Sequence, residues 1–110
     1  MNERNVILCA GMKRSGSTWL YNVLRVLLQE HTTYQVYGAW VSDYDAKNLA
    51  PIHLIKVHGF NSQLLDYSDL VFTSRRDIRD VIASLIRKGW IEPSNALSAV
   101  SEIIENHARW

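Results

Sequence analysis

The sequence predicts an α/β domain: a mainly parallel sheet flanked by helices. Three observations carry this. Apolar runs of strand length occur at residues 5–10, 52–57 and 70–73. Between them lie longer stretches whose apolar residues repeat at three and four, the helix period. Each run is followed at once by conspicuous polar residues, as at the carboxyl ends of strands in open α/β sheets.

Residues 5–10, NVILCA, form the first strand. Residues 17–29 form a helix, with Leu20, Val23, Leu24, Leu27 and Leu28 on one side. The aromatic-rich stretch YQVYGAWV, residues 34–41, is a short strand candidate, and SDYDAKNLAP, 42–51, is loop. IHLIKV, 52–57, is the second confident strand. Residues 61–67 make a short helical turn and LVFT, 70–73, the third strand. A helix over 77–87 turns Ile78, Val81, Ile82, Leu85 and Ile86 inward, and Gly89 terminates it. Pro93 starts the last helix at its first position. There, Leu97, Val100, Ile103 and Ile104 fall on one stripe.

Length and composition bound the rest. The 110 residues amount to one domain or less, and 47% hydrophobic residues suffice for one core. A formal charge of +1 speaks against bulk affinity for nucleic acid, so any anion site is a local cluster. Cys9 is the only cysteine, which excludes an intrachain disulfide, and its apolar surroundings make it a small buried strand residue. No stretch has the length of a membrane span or the pattern of a signal peptide, which points to a cytoplasmic protein without a membrane partner. The final helical segment reaches Trp110 without cap, proline or polar tail. The expectation is therefore the N-terminal portion of a larger domain, whose open sheet would invite self-association into a homo-oligomer.

The chemistry gathers after the strands. The first delivers GMKRSGSTW, which nearly spells the phosphate loop G-x-x-x-x-G-K-[ST]. Gly11, Gly16 and Thr18 fit, but Ser17 stands where the lysine should be, and the cations come earlier, at Lys13 and Arg14. The glycines allow tight turning and close approach, and the amides of Gly16, Ser17 and Thr18 open the helix, where its dipole favours an anion. An ordinary turn with a Ser/Thr cap is the plain alternative. The second strand delivers Lys56 and His58, which alternation puts on the same side. His58 is a candidate general base, its pKa lowered by the cation; a hydrogen-bonded structural histidine is the alternative. His53 falls on the opposite face, which disfavours a shared metal, and His31 and His107 read as surface residues. The third strand delivers RRDIRDVIAS, where Arg76, Asp80 and Ser84 are spaced by four. Arg76 and Ser84 can serve one anion only if Arg76 lies in the turn before the helix and folds over it. Otherwise the segment is a solvated cluster, with Asp77 and Asp80 pairing with Arg79 and Arg76.

These three pieces, in this order over roughly residues 5–90, resemble the sulfotransferases that use 3′-phosphoadenosine 5′-phosphosulfate. KRSGSTW is similar to that family's 5′-phosphosulfate loop, written K-S-G-T-T-W, with Arg14 at the lysine position. IKVH resembles its K-T-H element, and RDIRDVIAS its 3′-phosphate element R-x-x-x-D-x-x-x-S. The resemblance implies a P-loop-NTPase-like sulfotransferase fold and transfer of a sulfuryl group to a hydroxyl or amine of a small-molecule acceptor, without metal. It implies His58 as base, Arg14 and Lys56 as catalytic cations, and Lys13, Arg14, Ser15, Gly16, Ser17, Thr18, Trp19, Arg76 and Ser84 as donor-binding residues. Trp19 would stack on the adenine, against the alternative of core packing. The family's further glycine- and lysine-rich loop, which closes on the nucleotide, has no match here. Two other readings stand beside this one: a non-catalytic binder of 3′,5′-phosphorylated adenosine, and a small P-loop kinase or NTPase. For the acceptor pocket, the sequence offers Tyr34, Tyr37, Trp40 and Tyr44, with plain packing, the commoner role of an aromatic stretch, as the alternative.

Overall fold

The computed structural model describes residues 4–11 and 14–110. β1 (Asn5–Ala10) is almost wholly buried and lies inside the sheet. α1 (Ser17–His31) follows, then β2 (Val36–Trp40) and β3 (Ile52–Val57). The chain continues through a short helix, α2 (Ser62–Tyr67), into the three-residue β4 (Leu70–Phe72). α3 (Ile78–Arg87) and α4 (Ala96–Ala108) complete it, a 3₁₀ turn at Pro93–Asn95 leading into α4. The four strands are all parallel, in the order β2-β3-β1-β4. β1 and β3 pair from Asn5 with Ile52 to Ala10 with Val57, so their carboxyl ends are level.

Both central strands are buried on both faces, as their uninterrupted apolar runs require. Ile7, Cys9, Ile52 and Leu54 pack under α1, against Leu20, Tyr21, Leu24 and Leu28. Val6, Leu8 and Ile55 face the other way, toward Leu64 of α2 and toward Trp110. Leu8, Leu54 and Ile55 are completely buried, each contributing about 1.5–3 kcal/mol of transfer free energy. Burial also pushes the Cys9 thiol up to about 11, against a smaller opposing effect of Lys56, so this cysteine is inert packing.

α3 ends as its sequence announces. The Gly89 amide donates to the Ile86 carbonyl and the Trp90 amide to Leu85, the paired bonds of a Schellman motif. α4 departs from its expected stripe. Ala96, Ala99, Val100 and Ile103 pack toward α3, whereas Leu97 is 84% exposed and Ile104 51%. Two alanines let the helices approach closely, and this rotates the larger side chains outward. Among the described residues, no helix is long and apolar enough to cross a membrane.

Candidate functional site

The connections define a crevice before any side chain is considered. β1 leads through α1 toward β2 on one side of the sheet; β3 leads through α2 to β4 on the other. Adjacent strands β1 and β3 thus send their chains in opposite directions, which opens a gap outside their carboxyl ends, where ligands of open α/β sheets bind.

The loop after β1 enters this gap. Gly11 is buried, and a Cβ there would collide with Ser74 Oγ. Glycine at this position thus lets the loop pack against Ser74, in the segment after β4. Arg14 has φ 58° and Gly16 φ 87°, with Ser15 between them outside the positive-φ region. Such alternation aims successive amides into one concavity, a form that favours anions. For Arg14 the left-handed conformation costs about 1 kcal/mol. Two contacts hold it: Arg14 Nε donates to Ser84 Oγ at 2.8 Å, and the Arg14 carbonyl accepts from Arg76 Nη1 at 3.2 Å. Gly16 is also the N-cap of α1 and has no side chain to satisfy the first-turn amides, so a Ser/Thr cap is not what this loop provides.

Arg76 lies two residues before α3, whose N-cap is Asp77, and does fold back over the loop after β1. The solvated-cluster alternative holds only for its neighbours. Asp77 pairs with Arg79 at 2.7 Å, a hydrogen-bonded contact that holds the Asp77 carboxyl down at about 2. Ser84, 2% exposed, reaches the site only through Arg14. Ser15 and Ser17 are buried, and the Ser15 hydroxyl bonds to Ser74 Oγ at 2.9 Å. Lys13 lies outside the described residues.

β3 supplies the opposite wall. Lys56 Nζ donates to Thr18 Oγ1 at 2.7 Å, and His58 Nδ1 lies 2.8 Å from the Gly11 carbonyl, so both reach the loop after β1 as strand alternation predicts. A carbonyl only accepts, so Nδ1 carries a proton and Nε2 is the basic nitrogen of the neutral ring. Trp40, at the end of β2, meets the His58 ring edge-on at 5.2 Å and lies 5.9 Å from Lys56 Nζ.

Two cavities flank His58. One, of about 430 Å³, is lined by Arg14, Gly16, Thr18, Lys56, His58 and Arg76, together with Ser17 and Trp90. The other, of about 710 Å³, is lined chiefly by apolar side chains of the β2 and β3 ends and of α4. Trp90 borders both and lies 5.6 Å from the Arg14 guanidinium. Comparison with models of protein families, with curated proteins and with solved structures gives no match. The reading of this site therefore rests on its own geometry and on the motifs.

The remaining sequence expectations sort by position. Trp19 is 70% exposed and outside the lining of the smaller cavity, so core packing is not its role. Of the four aromatics proposed for an acceptor pocket, Trp40 lines the larger of these two cavities and the other three line neither. Tyr37 and Tyr44 instead pack edge-on against His53, and Tyr34 is exposed. His31 is exposed as expected, but His107 is half-buried. Sequence reasoning missed Trp90 and Asn106. Trp90 had one available signal, its place immediately after the helix-ending Gly89. Asn106 had none. Its Oδ1 accepts from the Phe60 amide at 2.8 Å and its Nδ2 donates to the His58 carbonyl at 3.0 Å. It thereby clamps the backbone from His58 to Phe60. Among the described residues no cluster of three or more His, Cys, Asp or Glu forms a metal site.

Proposed function

We propose that this chain binds 3′-phosphoadenosine 5′-phosphosulfate and transfers its sulfuryl group to a hydroxyl or amine acceptor. The observation that carries this reading is the position of His58, on the border between a cationic cavity and an apolar one. Sulfuryl transfer needs both sides. As the acceptor oxygen or nitrogen bonds to sulfur, the bridging S–O bond breaks and its electron pair goes to the phosphate. The acceptor proton must leave at the same centre. His58 Nε2 suits that proton. Arg14 and Lys56 suit the charge growing on the phosphate. Arg76 offers a guanidinium fork to a second phosphate, and the uncapped start of α1 offers amides and dipole. Trp19, exposed on the first turn, suits stacking on the adenine.

A phosphate loop serving Mg²⁺-nucleotide would need a lysine in place of Ser17, which is buried. The test is calorimetric titration with adenosine 3′,5′-bisphosphate, ADP and Mg·ATP. Metal-independent selectivity for the bisphosphate is expected; preference for Mg·ATP would overturn the reading in favour of a kinase or NTPase. Retained bisphosphate binding with no sulfuryl transfer to any phenol, alcohol or amine would leave the chain a nucleotide binder.

A further inference from the structure

The two edges of the sheet are not alike. At the β2 edge the side chains are covered: Tyr21 and Arg25 of α1 lie over Gly38, Tyr37 packs on His53, and Trp40 on His58. At the other edge, β4 pairs with β1 alone among the described residues. Leu70 lies beside Ile7 and Phe72 beside Cys9, so both point to the face that α1 covers over β1. Yet Leu70 is 55% exposed and Phe72 40%. Residues 70–74, LVFTS, hold no charge and no proline, the usual guards of an exposed edge. The backbone is aimed as well. Val6 turns both main-chain groups toward β4: its N–H donates to the Asp69 carboxylate at 2.7 Å, and its carbonyl accepts from the Asp69 amide at 2.8 Å. By alternation Leu8 does so too, and in a parallel pair its bonds go to the neighbours of its partner, Val71. Leu70 and Phe72 therefore turn their main chain to β1, and Val71 presents its N–H and C=O to the open side. Charge follows the strand direction: Asp66 and Asp69 precede β4, and Arg75 follows it, all three exposed.

We propose that the β4 edge is an interface for a second copy of this chain, the two β4 strands pairing antiparallel about a two-fold axis at Val71. The strand is self-complementary in that arrangement. Val71 exchanges both main-chain bonds with the second copy's Val71. Leu70 then stands opposite the second copy's Phe72, and Phe72 opposite its Leu70. Both are non-hydrogen-bonded pairs, in which cross-strand side chains come closest. The acidic approach to each strand, Asp66 and Asp69, meets the end of the other strand where Arg75 lies. Parallel pairing would instead set acid against acid and base against base. A two-fold contact is closed, so association stops at the dimer. The four strands of each copy become one continuous sheet. Because the copies run antiparallel, the two candidate sites open at opposite ends of it.

The test is sedimentation equilibrium of the whole chain over a range of concentrations. The parent should associate to a dimer and no further, and less tightly as salt rises. Leu70→Lys and Phe72→Glu should each weaken self-association by at least about tenfold, since each sets a charge against an apolar side chain at two places in the dimer. An equimolar mixture of the two variants should dimerise again. The introduced lysine then faces the introduced glutamate, and the native Phe72 of one chain faces the native Leu70 of the other. Thermal transitions close to the parent's establish that both exposed-site variants fold. A parent that stays monomeric overturns the inference and leaves the edge to a strand of some other protein. A dimer that neither substitution weakens forms through another face and overturns it equally. Failure of the mixture to recover overturns the two-fold register. No nucleotide or acceptor is present, so the outcome is independent of the sulfuryl-transfer reading.

Discussion

Two histidines at and just past the same strand show how position decides chemistry. His53, second in β3, is completely buried. Its Nε2 lies 3.1 Å from the Asn48 carbonyl and must donate there, so its Nδ1 accepts from the Tyr44 hydroxyl at 2.7 Å. Tyr44 in turn meets the Tyr67 hydroxyl at 3.3 Å, and Tyr67 accepts from Arg4 at 2.9 Å. Burial, aided by the Arg4 charge, lowers the His53 pKa below its ordinary 6.5 and keeps the ring neutral. His58, five residues later, is half-buried and borders both cavities, with its Nδ1 anchored to Gly11. One histidine ties the amino-terminal end of the sheet together, and the other sits where the two cavities meet. The difference lies in what each end of a parallel sheet offers: one is closed by Tyr37 and Tyr44, the other is held open by diverging connections.

Mutation can break this comparison at several levels. The largest effect is expected from His58→Ala, a loss of sulfuryl transfer of about 10²–10⁴-fold with bisphosphate affinity retained. An unchanged rate would remove His58 from the chemistry. His53→Ala should act on stability instead. Loss of a buried ring and of Tyr44's partner costs about 2–4 kcal/mol in urea unfolding. If it lowered bisphosphate affinity while leaving stability intact, the division between the two histidines would be wrong.

The same pair can be sharpened with pH. The unfolded chain protonates His53 more readily than the folded one. Its contribution to stability is therefore complete above about pH 6.5 and declines as pH falls through and below that value. Urea midpoints of the parent should drop on acidification more than those of His53→Ala; equal slopes would count against a neutral buried ring. Asn106→Ala should lower the transfer rate about tenfold, with smaller change in bisphosphate affinity, because it frees the backbone beside His58. Asn106→Asp keeps the acceptor for the Phe60 amide but not the donor to His58, so it should recover only part. A merely structural Asn106 would change stability and leave the rate alone. The smallest effect is expected from Trp19→Ala, within about 0.5 kcal/mol of parental stability as suits an exposed side chain. A large destabilisation would restore the packing role that its exposure denies.

Much of the fold was legible because its signals are local. Buried parallel strands read as apolar runs, and α3 is bracketed by Asp77, which accepts from the Arg79 amide, and by Gly89. The cations after each strand were legible for the same reason, since a parallel sheet brings every strand's carboxyl end to one edge. The α4 stripe was not. Helical period fixes which residues share a face but not which face its neighbour takes, and Ala96 and Ala99 won by allowing closer approach.

The sequence by itself determined the α/β alternation, the loop that opens α1, and the order in which Arg14, Lys56, His58 and Arg76 appear. Only the tertiary structure decided that Arg14 rests on Ser84, that Gly11 packs against Ser74, and that Trp90 and Asn106 come beside Arg14 and His58. Arg14 and Ser84 are 70 positions apart, and His58 and Asn106 are 48. No local pattern encodes such a distance. It is set by the strand order β2-β3-β1-β4 and by how closely the helices pack upon it.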